Sequence, residues 1–171
     1  NILAAVLAVL SVVAPAFAGK SGDFACFTVL VGRNASADGS VLLAHNEDDW
    51  GDNTVNIRRI PAHDYGEVRL VELGEGAVYE TDGKTAGFFW VEVAPQEFSD
   101  AFVNEYGVVV VSDSCPTRET KGELIDGGIG YMLRRLIAEK ARTAREGVLL
   151  AGQLIETFGY PYPQDSAYPV N

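Results

Sequence analysis

Cys26 is the residue with the clearest capacity for chemistry, and it stands at the start of a β-favouring segment. If residues 1–25 were removed, Cys26 would be the N-terminus and would carry both a thiol and a free α-amine. An α-amine titrates at about pH 8 and a thiol at about pH 8.5, so the amine can accept the thiol proton near neutral pH. Nucleophile and base would then lie on one residue.

The same cysteine also permits interpretations without catalysis. Cys26 and Cys115 are the two cysteines of the chain, and in an oxidising compartment they could form one disulfide. An inert strand cysteine is the remaining alternative. The residues alone leave all three interpretations open.

Cofactor and metal sites are disfavoured by the spacing of the other polar residues. His45 and His63 have no partner at metal-ligand spacing. The acidic residues of segment 47–52 lack the spacing of an EF-hand calcium loop and are read as a solvated loop. No glycine-rich phosphate loop follows a strand. The net charge of −11 argues against nucleic-acid binding through a broad basic surface. We therefore expect no cofactor, no metal and no nucleic acid.

The first eighteen residues are almost entirely apolar, carry no charge and end in Ala16-Phe17-Ala18. A small residue on either side of one variable position is the pattern of a secretory cleavage site. The apolar run is short for a membrane span, which needs about 20 residues. We interpret residues 1–18 as a truncated signal peptide and residues 19–25 as a short propeptide. A secreted or periplasmic protein without a stable membrane anchor is expected.

Strands are predicted for most of the chain between Cys26 and Val111. Segments 26–33 and 40–46 read as a hairpin around the turn signal Ala37-Asp38-Gly39. Further strands are predicted at residues 54–60, 67–73, 87–93 and 108–111. The last of these is four consecutive valines after a turn, which favours a strand buried on both faces.

Two helices are predicted after this strand region. Apolar residues at helical spacing indicate that both pack on a core. Asp126 is the expected N-cap of the first helix, Thr143 and Glu146 form a capping box for the second, and Gly159 ends it. Strands followed by paired helices predict an α+β architecture. The two stripes comprise Ile129, Met132, Leu133, Leu136 and Ile137, then Ala144, Val148, Ala151, Ile155 and Phe158.

A family resemblance adds to this interpretation. Residues 26–40 (CFTVLVGRNASADGS) and 43–48 (LAHNED) resemble the opening of the dipeptidase A-like cysteine dipeptidases. These enzymes belong to the N-terminal-nucleophile hydrolase superfamily, together with the penicillin V and bile salt acylases. Residues 104–112 (NEYGVVVVS) resemble a strand of that family, and residues 144–148 (AREGV) resemble one of its helices.

The resemblance implies roles for individual residues near the first strand. Cys26 matches the nucleophile, Asp48 matches the acidic residue that orients the cysteine amine and thiol, and Asn46 matches the Asn beside it. His45 stands where the family usually has Arg. A histidine carries charge only when it is protonated, so this departure from the family pattern implies either slower turnover at alkaline pH or a subfamily that balances its charge differently.

The resemblance also implies an oxyanion-hole donor after the valine strand. Ser114 is the best match, and Ser112 is the other candidate. The family fold is a four-layer αββα sandwich, which residues 26–171 would fill only in part. We therefore expect this segment to be the N-terminal part of the hydrolase domain and to be inactive by itself.

The expected function is that of an exported cysteine dipeptidase that hydrolyses dipeptides through a thioester acyl-enzyme. One alternative is a non-peptide linear amide hydrolase or acyltransferase of the same superfamily. An alternative of another class is a non-catalytic secreted domain with a Cys26–Cys115 disulfide. The expected partner is a dipeptide or another small amide, and a homo-oligomer is left open.

Overall fold

The structure is a computed structural model that describes residues 26–47, 54–73, 76–94, 98–113 and 123–161. The predicted signal peptide and propeptide lie outside these residues, as do Asp48, Ser114 and Cys115. The described part of the chain combines antiparallel strands with two helices. This mixture confirms the α+β class.

The predicted hairpin after Cys26 is confirmed. Strand β1 (Phe27–Val31) pairs antiparallel with strand β2 (Leu42–Asn46). In the connection, Gly39 has a φ of 76°, a left-handed backbone that glycine adopts without a steric penalty. Hydrogen bonds from the Ser40 hydroxyl and backbone N–H hold the pKa of Asp38 below its usual value.

Eight further strands form one four-stranded sheet and two short two-stranded sheets. In chain order they are β3 (Thr54–Ile60), β4 (His63–Asp64), β5 (Arg69–Glu72), β6 (Val78–Thr81), β7 (Lys84–Thr85), β8 (Phe88–Ala94), β9 (Phe98–Asn104) and β10 (Val109–Val111). The large sheet has the order β10-β9-β8-β3, while β4 pairs with β7 and β5 pairs with β6. All of these pairings are antiparallel.

Two helices follow β10 in the described residues: α1 (Met132–Lys140) and α2 (Ala144–Phe158). The expected N-cap of α1 is wrong, because α1 begins at Met132 and its N-cap position is Tyr131. Asp126 has a φ of 47°, which is incompatible with a right-handed helix. The glycines that follow also have positive φ, so the chain cannot become helical before Met132. They are Gly127, Gly128 and Gly130.

The buried face of α2 differs from the predicted stripe. Leu154 is 1% exposed, whereas Val148 is 72% exposed and Ile155 is 36% exposed. The prediction that Val148 and Ile155 line the core is therefore wrong. Helix α2 turns Gly147 towards α1 instead, where an added Cβ would lie only 2.9 Å from Cγ2 of Ile137.

The four-stranded sheet has one covered and one exposed face, because side chains alternate along each strand. On the covered face, Phe88, Trp90 and Phe102 form a buried cluster with Ala138 of α1. The opposite face presents exposed apolar side chains. They are Val55, Ile57, Phe89, Val91, Val103 and Val109.

The valine segment is an edge strand of this sheet within the described residues. Val108 is buried, but Val109 in β10 is 38% exposed. The prediction of burial on both faces is therefore wrong. Only the covered face of the sheet has a helix packed against it in the part of the chain that the structure describes.

The predicted capping contact of Thr143 at the start of α2 is confirmed, whereas the Glu146 carboxylate binds the backbone of Arg142, one residue before the N-cap. Thr143 Oγ1 accepts the backbone N–H of Glu146 at 3.2 Å. Glu146 Oε2 in turn accepts the backbone N–H of Arg142 at 2.8 Å. Gly159, with a φ of 76°, follows the last residue of the helix as expected.

Replacing Thr143 with alanine is expected to lower the free energy of unfolding by about 1 kcal/mol, because the Glu146 N–H loses its acceptor. Chemical denaturation of the full chain measures the loss. Thr157→Ala is the control, because the Thr157 hydroxyl donates within the same helix to the Gln153 carbonyl and is exposed. Its effect should stay within about 0.5 kcal/mol. Equal losses in both variants would contradict the capping role.

Neither described helix has the length and apolar character needed to cross a bilayer.

Candidate active site

The β1–β2 hairpin determines which side chains can meet Cys26. Thr28 lies directly opposite His45, and Phe27 lies opposite Asn46. Continued by one residue, this register places Cys26 opposite Glu47. Since side chains alternate between the faces of a strand, Cys26, Thr28, His45 and Glu47 share one face of the hairpin.

Glu47 joins Cys26 to His45. The Cys26 Sγ donates to Glu47 Oε1 at 3.1 Å, and the other carboxylate oxygen, Oε2, lies 3.1 Å from Nε2 of His45. The His45 side chain is 9% exposed and that of Glu47 is 34% exposed. The thiol thus lies beside a carboxylate that is itself paired with a largely buried imidazole.

The other ring nitrogen of His45 faces Thr28 and Asp113. Thr28 Oγ1 lies 3.0 Å from His45 Nδ1, and the Thr28 hydroxyl also forms a short hydrogen bond with Oδ2 of Asp113. Asp113 Oδ1 is 3.6 Å from the same Nδ1. Asp113 follows β10, so this contact connects the hairpin to the end of the four-stranded sheet.

The structure brings two of the predicted site residues, Cys26 and His45, together through Glu47. Asn46 is exposed and lies on the opposite face of β2, as strand alternation requires. Asp48 and Ser114 lie outside the described residues. The roles of these three residues stay predictions.

Ser112 lies at the end of β10 and is 5% exposed. Its Oγ accepts a hydrogen bond from Nη1 of Arg134 at 2.6 Å. Arg134 is a buried residue of α1, and its guanidinium lies 5.0 Å from the ring centre of Tyr131. Ser112 therefore binds the helix in the described residues, and its role as an oxyanion donor stays a prediction.

Three members of this cluster were not identified as site residues from the sequence: Glu47, Thr28 and Asp113. The prediction that Glu47 belongs to a solvated acidic loop is wrong, because its carboxylate binds Cys26 and His45. The pairing register of the hairpin could have identified two of the three, because Thr28 lies opposite His45 and Glu47 lies opposite Cys26. Asp113 is 85 residues from Thr28 in the chain, and no local pattern connects them.

The described residues contain no group of three or more side chains arranged to hold a metal ion. The site is instead a chain of hydrogen-bonding groups that ends at a thiol. Such an arrangement can orient a nucleophile and balance its charge, which is the requirement for covalent catalysis by cysteine.

Comparison with known proteins identifies similar sequences. Residues 25–68, which contain Cys26 and His45, match the model of peptidase family C69. A probable dipeptidase A from Streptococcus pyogenes serotype M1 is 27% identical over 150 residues, which cover 82% of this chain and 32% of that protein. A dipeptidase from Bifidobacterium longum (strain NCC 2705) is 31% identical over 158 residues, covering 79% of this chain and 29% of that protein.

The chain spans about a third of the length of the curated relatives that it matches. No solved structure gives a significant match.

Proposed function

We propose, from the confirmed resemblance to the dipeptidase A-like cysteine dipeptidases, that this chain forms part of a dipeptidase with Cys26 as its nucleophile. The observation that carries the proposal is the placement of the Cys26 thiol. Its Sγ lies on one face of a hairpin, 3.1 Å from a carboxylate that is paired with His45. This hairpin lies within the segment that matches the peptidase family.

The proposed reaction has two steps. With residues 1–25 removed, the α-amine of Cys26 accepts the thiol proton, and the thiolate attacks the carbonyl carbon of the dipeptide amide. The C–N bond breaks, the leaving amine takes the proton, and a thioester joins the acyl group to Sγ. Water then hydrolyses the thioester, which releases the acid and restores the thiol. Asp48 and Asn46 are proposed to orient the amine, and Ser114 or Ser112 to donate to the oxyanion.

The proposed fold is the four-layer αββα sandwich of N-terminal-nucleophile hydrolases. The exposed apolar face of the four-stranded sheet supports it, because an apolar sheet face is stabilised by packing against a second layer. Residues such as Ile57 and Phe89, which are 76% and 50% exposed, would lie in the interior between the two sheets.

Export is the remaining part of the proposal. It rests on the apolar residues 1–18 and on the small-residue pattern that ends at Ala18. Removal of residues 19–25, by self-cleavage at Cys26 or by another peptidase, would then produce the N-terminal cysteine.

Mass spectrometry of the exported full-length protein, combined with hydrolysis assays, tests this function. A mature N-terminus at Cys26, a thiol that iodoacetamide alkylates and turnover of dipeptides would support the proposal. An N-terminus at Gly19 with Cys26 and Cys115 bridged would overturn it in favour of a non-catalytic domain. Turnover of acylated amino acids but not of dipeptides would overturn the substrate class and leave the nucleophile in place.

A further inference from the structure

The hydrogen bonds around His45 determine where its protons lie. The Thr28 hydroxyl has one proton, and it is directed to Oδ2 of Asp113. Thr28 Oγ1 must therefore accept from the His45 Nδ1, which lies 3.0 Å away. On the other side of the ring, Nε2 faces Oε2 of Glu47, and a carboxylate can only accept. An imidazolium donates to both partners, whereas either neutral tautomer leaves one of these acceptors facing a ring nitrogen without a proton.

The charges around the ring agree with an imidazolium. Two carboxylates face it, Glu47 from the end of β2 and Asp113 from the end of β10. Asp113 Oδ1 is buried and has no hydrogen-bond partner among the described residues, and it lies 3.6 Å from Nδ1. A buried carboxylate oxygen is destabilised unless a compensating charge lies nearby. The groups that face the ring from β1 are the Thr28 hydroxyl and, through Glu47, the Cys26 thiol.

We propose that Glu47 is a positioning residue for the Cys26 thiol, and that it acts as a carboxylate whose charge is balanced by a protonated His45. Thr28 and Asp113 hold the opposite side of the imidazolium. This inference rests on the proposed function in one respect, namely that Cys26 is the nucleophile. Glu47 orients the S–H bond and His45 offsets the negative charge that Glu47 places beside it.

The two charged partners should act on the thiol in opposite directions. Removing the charge of Glu47 takes a negative group away from Cys26 and favours the thiolate. Removing His45 takes the balancing positive charge away and disfavours the thiolate. A merely structural role for these residues predicts no such opposition.

The rate of Cys26 alkylation by iodoacetamide, followed against pH in the full-length protein, measures this effect. Mass spectrometry of the peptide that contains Cys26 separates its signal from those of other cysteines. Glu47→Gln is expected to lower the midpoint pH of alkylation by about one unit, and His45→Gln to raise it by a similar amount. Glu80→Gln, the same substitution at an exposed residue of β6, should leave the midpoint unchanged.

Thr28 provides a second pair of variants in case the His45 variant does not fold. Thr28→Ser retains the hydroxyl and should keep the wild-type midpoint. Thr28→Val removes the acceptor of Nδ1 and should raise the midpoint, as His45→Gln does. Shifts in the same direction for Glu47→Gln and His45→Gln, or no shift in Glu47→Gln and Thr28→Val, would overturn the proposal.

Alkylation requires no turnover of a substrate. Opposite shifts in a protein that hydrolyses no dipeptide would therefore support the positioning role and reject the dipeptidase function. Dipeptide hydrolysis by the wild type together with unshifted alkylation midpoints in the variants would support the dipeptidase function and reject the positioning role.

Discussion

Replacing Cys26 with serine in the full-length protein is expected to reduce dipeptide hydrolysis by about a thousand-fold or more. Serine retains the shape of the side chain and the α-amine, but its hydroxyl is far less acidic than a thiol, so the amine deprotonates it poorly and it is the weaker nucleophile. Under the proposed function the chemical step depends on the sulfur of Cys26, so kcat should fall, whereas the KM should change little. Hydrolysis of a dipeptide by the purified variant, compared with the wild type, measures the loss.

Cys115→Ser is the matched control for this experiment, because it makes the same substitution at the other cysteine of the chain. Under the proposed function it retains activity. Unchanged hydrolysis by Cys26→Ser would exclude Cys26 as the nucleophile. Equal losses of activity and stability in both variants would indicate that the two cysteines act as a bridged pair.

The largest effect on stability is expected at Asn104, which ends β9 and is 4% exposed. Its Nδ2 donates to the carbonyl oxygens of Ala138 and Ala141 at 3.1 and 2.6 Å. Its Oδ1 accepts the backbone N–H groups of Tyr106 and Val108 at 3.1 and 2.9 Å. The side-chain amide of Asn104 thus forms hydrogen bonds with backbone groups of both the turn before β10 and the C-terminal end of α1.

Asn104→Ala is expected to lower the free energy of unfolding by about 3 kcal/mol, because it leaves buried polar groups without partners. Chemical denaturation of the full chain measures this change, as a lower denaturant midpoint with an unchanged dependence of the free energy on denaturant concentration. Asn104→Asp keeps the acceptor for the turn but cannot donate to the carbonyl oxygens of the helix. It should also destabilise the protein.

The control for this prediction is Asn56→Ala on β3. The Asn56 side chain is half-buried and makes one long contact, 3.5 Å to Oε2 of Glu92. Asn56→Ala should lower the free energy of unfolding by less than about 1 kcal/mol. An Asn104→Ala variant as stable as this control would contradict the bridging role of the amide.

Local sequence patterns predicted the elements whose signals lie within a few residues of one another. The bounds of β3 agree with the predicted segment 54–60, and the capping contact of Thr143 with Glu146 was expected from their spacing. Which side of α2 is buried could not be predicted in this way. Val148 and Leu154 are both apolar, but Leu154 shares the face of Gly147, where α2 approaches α1 so closely that an added Cβ would lie 2.9 Å from Cγ2 of Ile137.

The site was predictable only in part for the same reason. Cys26 and His45 stand out by residue type and by resemblance. Glu47 and Thr28 become members of the site only through the hairpin register, and residues 32–41 form a connection too long for a tight turn to set that register. Asp113 reaches His45 because the end of β10 lies beside the hairpin, which is a tertiary relation that no local pattern contains.

The β1–β2 hairpin is a two-stranded sheet of its own within the described residues. A two-stranded sheet is only marginally stable unless other elements hold it, and regions of this kind open more readily than the core of a domain. The hydrogen bond from Thr28 to Asp113 connects this hairpin to the end of the larger sheet. The same Thr28 hydroxyl contacts the His45 ring, whose other nitrogen pairs with Glu47. Local opening of the hairpin would therefore separate the Glu47 carboxylate from the Cys26 thiol without global unfolding. Under the proposed function, the stability of this hairpin would set the fraction of molecules in which Glu47 positions the nucleophile.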